Sequence, residues 1–156
     1  LKLKQKQMKR RRLKFSDYYH EIIITEIADI YNVEKERIFL GSRKRNIIFA
    51  KRLYIFVLRE VFGLTLKDIA EVTNLHHASI IHHSRQFQFQ YEHKHNFRKE
   101  NKHFERIENR IIEVEIDEEI LGLEQQIDKI NKTLTKLYKI NKLKNERQKR
   151  ESLLTE

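Results

Sequence analysis

The sequence has 156 residues, of which 36% are charged and 39% hydrophobic, with three glycines and neither proline nor cysteine. This composition is far from that of a loop-rich β protein and typical of long helices, and it excludes disulfides and thiolate metal sites. The formal net charge is +10, which favours an acidic partner such as nucleic acid, while no apolar run is long enough to span a membrane. We therefore expect a cytosolic protein without membrane contact.

Residues 1–15 form a basic arm. The first fourteen, LKLKQKQMKRRRLK, contain eight Lys or Arg and no acidic residue. Such a segment is either a solvated, flexible tail or an arm that lies along a phosphate backbone, and the two interpretations are compatible.

Residues 16–108 carry helical periodicity and are predicted to form the globular domain. Ser16 can cap a first helix that Asp17 favours in its first turn and that ends near Tyr31. The apolar residues at helical spacing in this segment are Tyr19, Ile22, Ile23, Ile27 and Ile30.

A basic loop and a long helix follow. A short element is predicted near residues 35–39, and the loop SRKRN spans residues 42–46. The apolar periodicity then predicts a long helix over residues 47–62, which Gly63 ends.

The spacing after Gly63 predicts two short helices joined by a tight turn. Thr65 and Asp68 are typical of a capping box and open a helix through about Thr73. Residues 74–75 predict the turn, and a second helix from residue 76 or 77 buries Ile80 and Ile81. This arrangement describes either a helix-turn-helix, whose second helix reaches base edges, or a plain helical hairpin; the basic composition favours the first.

Residues 86–97, QFQFQYEHKHNF, alternate polar and apolar side chains. Period two usually indicates a strand, but a strand without partner strands is unstable. We therefore predict helix to about Glu92, a break near residues 95–96 and a new helix from Phe97.

Residues 109–156 are predicted to form a coiled-coil helix. Apolar residues alternate at spacings of four and three, and Asn141 takes the next a position of the heptad. The stripe either docks back onto the same chain or pairs with another copy. We favour a homo-oligomer, preferably a dimer, of undetermined strand direction. The predicted interface residues are Ile116, Ile120, Leu123, Ile127, Ile130, Leu134 and Leu137.

Four histidines lie within eight positions, at His76, His77, His82 and His83. A metal site on one helix face needs His-x-x-x-His spacing, which is missing in this region, and the chain carries no catalytic or phosphate-loop motif. We therefore expect no metal, no cofactor and no enzymatic activity. Imidazole suits DNA contact, because it can bond bases or phosphate.

The run from Glu26 to Phe87 resembles the C-terminal DNA-binding domain of the bacterial replication initiator DnaA. The same pieces follow in the same order: a helix ending in a Tyr-containing turn, a basic loop, a long helix and a helix-turn-helix. The stretch HHASIIH, residues 76–82, is similar to the family signature, and a weaker likeness continues to about Ile107. The resemblance implies an all-α fold, in which a DnaA-like helix-turn-helix domain precedes a long C-terminal helix.

The resemblance also implies recognition of double-stranded DNA. The positions that match base contacts in the recognition helix are His76, His77, Ala78 and Ser79. The positions that match phosphate contacts are Arg43, Lys44, Arg45, Lys51, Arg52, Arg59, Leu66 and Lys67, the pair at 66–67 acting through backbone N–H groups.

Three positions depart from the family pattern. Phe49 stands where the family has a minor-groove arginine, His76 where it has Asp, and Ala78 where it has Thr. We expect a replication accessory or regulatory factor in the nucleoid, or in the host-cell cytoplasm if a phage or mobile element encodes it. The competing interpretation is a structural or adaptor protein that keeps the fold as a scaffold and works through its coiled coil.

Overall fold

The computed structural model describes residues 13–155, so residues 1–12 of the predicted basic arm lie outside it. Within this range the fold is all-α, as predicted. The elements are α1 (Asp17–Tyr31), a 3-10 turn (Lys35–Arg37), α2 (Arg45–Glu60), α3 (Leu66–Thr73), α4 (His77–Glu92) and α5 (Arg98–Leu154). The chain divides into two compact units between Ile112 and Glu113.

Helix α1 ends where the sequence predicts. Asn32 follows it with a φ of 50°, and its backbone N–H donates to the carbonyls of Ala28 and Asp29. Asparagine tolerates this left-handed conformation better than most residues, so it stops the helix at low cost. Ser16 holds the predicted N-cap position, but its side chain makes no capping hydrogen bond.

Helix α2 begins two residues earlier than predicted. The Ile48 N–H donates to the Lys44 carbonyl at 3.1 Å, which closes the first turn. Arg45 therefore belongs to the helix, and the basic loop is shorter than the sequence suggested. At the other end Gly63 has a φ of 67°, and this left-handed glycine stops the helix as predicted.

Helix α2 is buried along most of its length and packs on α1, α3 and α4. Every residue from Leu53 to Leu58 is buried, so neighbouring elements surround this part of the helix. The buried apolar residues of α2 are Ile47, Ala50, Leu53, Tyr54, Ile55, Phe56, Val57 and Leu58.

The helix-turn-helix has the predicted capping box. The Asp68 N–H donates to Thr65 Oγ1 at 3.2 Å, and the Thr65 N–H donates back to the Asp68 carboxylate at 3.0 Å. Asn74 makes the turn with a φ of 51°. Ile80 is fully buried, whereas Ile81 is only half-buried, so the prediction that both residues point inward is only partly right.

An aromatic cluster fixes α4 against α2 and the start of α5. The Phe87 ring stacks on Phe56 with 4.5 Å between centroids, and Phe104 lies edge-on to Phe56 at 5.0 Å. Phe87 is 0% exposed, whereas Phe89 is 52% exposed. Burial thus follows the helical period, which confirms the helix predicted to Glu92 over the strand that the alternation suggested.

The last helix, α5, starts at Arg98, one residue after the predicted position. In the first unit Arg106 pairs with Glu26 at 2.9 Å and with Asp29 at 2.8 Å, which joins α5 to α1. None of the helices described has both the length and the apolar character needed to cross a bilayer.

The two phenylalanines provide a matched pair for testing this core. We expect Phe87→Ala to lower the free energy of unfolding by about 3–5 kcal/mol, because it leaves a cavity in the cluster. Phe89→Ala should cost less than about 1 kcal/mol, because most of its ring is already in solvent. Urea unfolding followed by circular dichroism measures both, and equal losses would contradict the assignment.

Candidate nucleic-acid interface

The start of α4 is exposed and capped by a histidine. His76 holds the N-cap position, and its Nδ1 accepts a hydrogen bond from the Ala78 N–H at 3.3 Å. The His76 carbonyl accepts from the N–H groups of Ser79 and Ile80. Histidine therefore performs the capping that an Asp side chain performs at helix starts, and the tautomer that accepts at Nδ1 carries its proton on Nε2.

The base-contact positions differ in exposure. His76, His77 and Ala78 are exposed, whereas Ser79 is half-buried. The first turn of a recognition helix is the part that enters the major groove. The structure thus leaves three of the four positions open to solvent at the end of α4 where the motif needs them.

The start of α3 offers backbone N–H groups to an anion. The first four N–H groups of a helix lack intrahelical partners, and the capping box satisfies that of Asp68. The N–H groups of Leu66 and Lys67 lie in the same first turn. Helix N-termini favour phosphate through these donors and the helix dipole, so the backbone contact predicted here fits the local structure.

The basic loop and the start of α2 present adjacent cations. Arg43, Lys44 and Arg45 are all exposed. The Lys44 N–H donates to Ser42 Oγ at 3.2 Å, which shapes the loop just before α2. Exposed cations in sequence are suited to tracking a phosphate backbone.

Phe49 lies between two arginines on the surface of α2. The guanidinium carbon of Arg45 is 5.3 Å from the centre of the Phe49 ring, and that of Arg52 is 5.4 Å away. Both distances are typical of cation–π contact. The residue that replaces the family's minor-groove arginine thus orients two neighbouring arginines, which sequence reasoning did not foresee.

Lys51 and Arg59 make contacts within the chain. Lys51 is 7% exposed, its Nζ donates to the Leu40 carbonyl at 3.1 Å, and burial lowers the pKa of its ammonium. Arg59 Nη1 donates to Ser84 Oγ at 2.9 Å, which links α2 to α4. Both side chains therefore position the helices, and their contact with phosphate stays a prediction.

Arg52 on α2 and His83 on α4 are both half-buried. The Arg52 Nε and the His83 Nδ1 are buried without a hydrogen-bond partner among the described residues. Burial, together with the smaller effects of the charges of Arg52, Lys51 and His82, lowers the pKa of His83 to about 4. His83 is therefore neutral at pH 7. Among residues 13–155, the side chains of His, Asp and Glu form no group of three that could hold a metal.

Part of this domain is similar to known proteins. Residues 20–86 match the family described as bacterial dnaA protein helix-turn-helix. The chromosomal replication initiator protein DnaA of Kosmotoga olearia is 28% identical over 68 residues, which cover 44% of this chain and 15% of that protein. DnaA of Pseudothermotoga lettingae is 27% identical over 62 residues, which cover 40% of this chain and 14% of the relative. The resemblance found in the sequence is confirmed for this segment.

The pKa of His83 makes the stability of the domain dependent on pH. In the unfolded chain His83 has its ordinary pKa of 6.5, whereas in the fold the value is about 4. The unfolded state therefore binds the proton first, and the stability contribution present above pH 6.5 is lost as the pH falls toward 4. We expect His83→Gln to reduce this loss by about 1–2 kcal/mol, a figure lowered to allow for the partial exposure of the ring.

Denaturant unfolding at several pH values between 4 and 7 measures this difference. His95→Gln, which removes an exposed imidazole that is not among the groups acting on His83, is the matched control and should follow the parent chain. Identical pH profiles for the His83 variant and the parent would contradict the assignment.

Proposed function

We propose that this chain is a DNA-binding protein without enzymatic activity, which recognises double-stranded DNA specifically or semi-specifically. Its role is that of a replication accessory or regulatory factor, of a cell or of a phage or mobile element. The observation that carries the proposal is the exposed, histidine-capped start of α4 behind a capped α3, within a segment that matches the DnaA helix-turn-helix.

The start of α4 supplies the base contacts. His77 can donate to or accept from base edges, and the Ala78 methyl group suits the methyl group of thymine. His76 retains Nε2–H as a donor because its Nδ1 caps the helix. Since these groups differ from an Asp-Thr-Thr pattern, we expect a preferred sequence that differs from the family's usual box.

The basic loop and the α3 terminus supply phosphate contacts on both sides of the recognition helix. Arg43 and Lys44 act from the loop, and Arg45 acts from the first turn of α2, where Phe49 orients it. The N–H groups of Leu66 and Lys67 add contacts that carry no sequence information. These contacts set the position on the duplex, while the bases set the preference.

Self-association gives the protein two such domains. In a single chain the apolar stripe of α5 is between 47% and 61% exposed from Ile116 to Leu137. A stripe of this length at heptad spacing is stabilised when a second copy covers it. A dimer carries two recognition helices.

A second candidate is a structural or adaptor protein that works through the coiled coil. The observation in its favour is that Lys51 and Arg59 are bound to Leu40 and Ser84 of the same chain. Cations that hold helices together contribute less to DNA affinity than free ones. Phe49 adds to this alternative, because an aromatic ring does not reproduce a groove-reading arginine.

The salt dependence of binding to random duplex DNA tests the phosphate contacts. If about six phosphates are neutralised, the logarithm of the affinity should fall against the logarithm of salt with a slope near −5. Changing Arg43, Lys44 and Arg45 together to Ala should bring the slope closer to zero by about 2–3 and weaken binding at low salt. Fluorescence anisotropy of a labelled duplex measures both quantities.

A control variant removes the same charge elsewhere. Arg98, Lys99 and Lys102 are exposed near the start of α5, and changing all three to Ala should alter the slope by less than about one. If the two triple variants changed the slope equally, the loop would contribute only through its charge and not through its position. A slope near zero for the parent chain would exclude the DNA-binding proposal.

The recognition helix is tested by its sequence preference. We expect selection from a random duplex library to yield a preferred site, to which His77→Ala combined with Ser79→Ala binds about 10-fold or more weakly. Affinity for random duplex should change much less, because phosphate contacts dominate there. If no site emerges, or the variant binds it like the parent, the adaptor function is favoured.

A further inference from the structure

The charges of the C-terminal unit are separated into two halves. Residues 113–128 contain seven acidic residues and no Lys or Arg, whereas residues 129–150 contain nine Lys or Arg and one acidic residue. The sign changes between Asp128 and Lys129. This separation is far sharper than the interspersed charges of an ordinary exposed helix.

We propose that two copies of this helix pair in antiparallel orientation, so that the acidic half of one covers the basic half of the other. This inference rests on the self-association proposed above and adds the orientation and the register. It uses only residues 113–154, which form one helix with an exposed apolar stripe.

The apolar layers lead independently to the same centre. In an antiparallel pair the a positions of one helix face d positions of the partner. One register places Ile127 against Ile130 of the partner subunit, Leu123 against Leu134 of the partner subunit, and Ile120 against Leu137 of the partner subunit. Symmetry doubles these three layers to six, all apolar. The symmetry axis passes between the two helices at the level of residues 128 and 129. The hydrophobic register and the charge reversal therefore share one centre.

Moving the register by one heptad toward the N-terminus is less favourable. This shift places the Glu113 carboxylate against Leu137 of the partner subunit, in the outermost layer. The register above places Asn141 against Ile116 of the partner subunit, in the outermost layers next to solvent. A neutral amide at the end of a seam is less costly than a carboxylate in the same type of layer.

Parallel pairing would bring like charges together. In a parallel dimer each g position faces the e position five residues later on the partner, so Glu119 would face Glu124 of the partner subunit on both sides. The acidic halves would also lie side by side, as would the basic halves. In the antiparallel register Glu119 faces Ile140 of the partner subunit and Glu124 faces Asn131 of the partner subunit. The parallel form gains one favourable contact, between the two Asn141 side chains. This contact occupies a single layer, whereas the repulsion between like charges extends along the whole helix.

Distances between spin labels distinguish the two orientations. Because the chain lacks cysteine, single labels can be placed at three outward heptad positions by Glu118→Cys, Gln125→Cys and Lys139→Cys. In the antiparallel register the two labels of a dimer are offset along the axis by about 32 Å at 118, about 10 Å at 125 and about 32 Å at 139. In a parallel dimer the axial offset is zero at all three positions.

Pulsed dipolar spectroscopy on the full chain measures these distances, and sedimentation equilibrium gives the mass. We expect about twice 19.2 kDa and a long, short, long series of distances. One short distance at all three positions overturns the orientation, and a mass of one chain or of three or more overturns the pair itself. Anisotropy with duplex DNA on the same samples keeps the proposals separate, because DNA binding that persists in either case leaves the helix-turn-helix function standing.

Discussion

Burial of α2 is the constraint on which the helix-turn-helix domain depends. Its core residues contact α1, α3 and α4, so these three helices are positioned against it. The apolar contacts fix distance, and polar groups on α2 fix direction. Tyr54 is fully buried yet its hydroxyl bonds His20 Nδ1 at 2.6 Å, and Arg59 bonds Ser84. The start of α4 is thus placed by contacts made one to three turns further along the same helix.

The cations of this domain divide according to their distance from that core. Arg43 and Lys44 lie outside it and remain exposed, Arg45 and Arg52 are held by the Phe49 ring, and Lys51 is bound to the backbone. A cation that lies nearer to the core is held more rigidly and is less able to reach a phosphate group. In the sequence all five residues look alike, because each carries one positive charge. In the proposed complex, only the exposed ones would add to the affinity by releasing counterions from DNA.

Much of the fold follows from local signals in the sequence. The Thr65–Asp68 box, the stops at Asn32 and Gly63 and the break after Glu92 depend on residues that interact within a few positions, so spacing alone predicts them. The alternation near Phe87 and Phe89 suggests a strand, although the segment is a helix. One aromatic residue that points outward from a helix is enough to produce an alternating pattern over a few residues. Tertiary packing against Phe56 decides which ring is buried.

The site was predictable in its residue types and less so in its geometry. That His76 caps α4 through Nδ1 follows from a local contact, and its Asp equivalent in the family signature gave a signal for it. The effect of the Arg52 charge on the pKa of His83 was missed because it acts between α2 and α4 across 31 positions of sequence, and no spacing rule connects them. The bond from Lys51 to Leu40 was missed for a related reason: a lysine next to an arginine on a basic helix gives no sign of turning inward.

The two units also differ in net charge, and this difference bears on how affinity is distributed. Residues 113–156 contain ten acidic and nine basic residues, so their net charge is −1. Since the net charge of the whole chain is +10, residues 1–112 have a net charge of +11. As a single helix, the second unit would still expose a basic half able to bind DNA without selectivity. Antiparallel pairing places acidic residues of the second copy beside that half and reduces its potential. Under the proposed pairing, the remaining positive potential lies mainly on the helix-turn-helix domain.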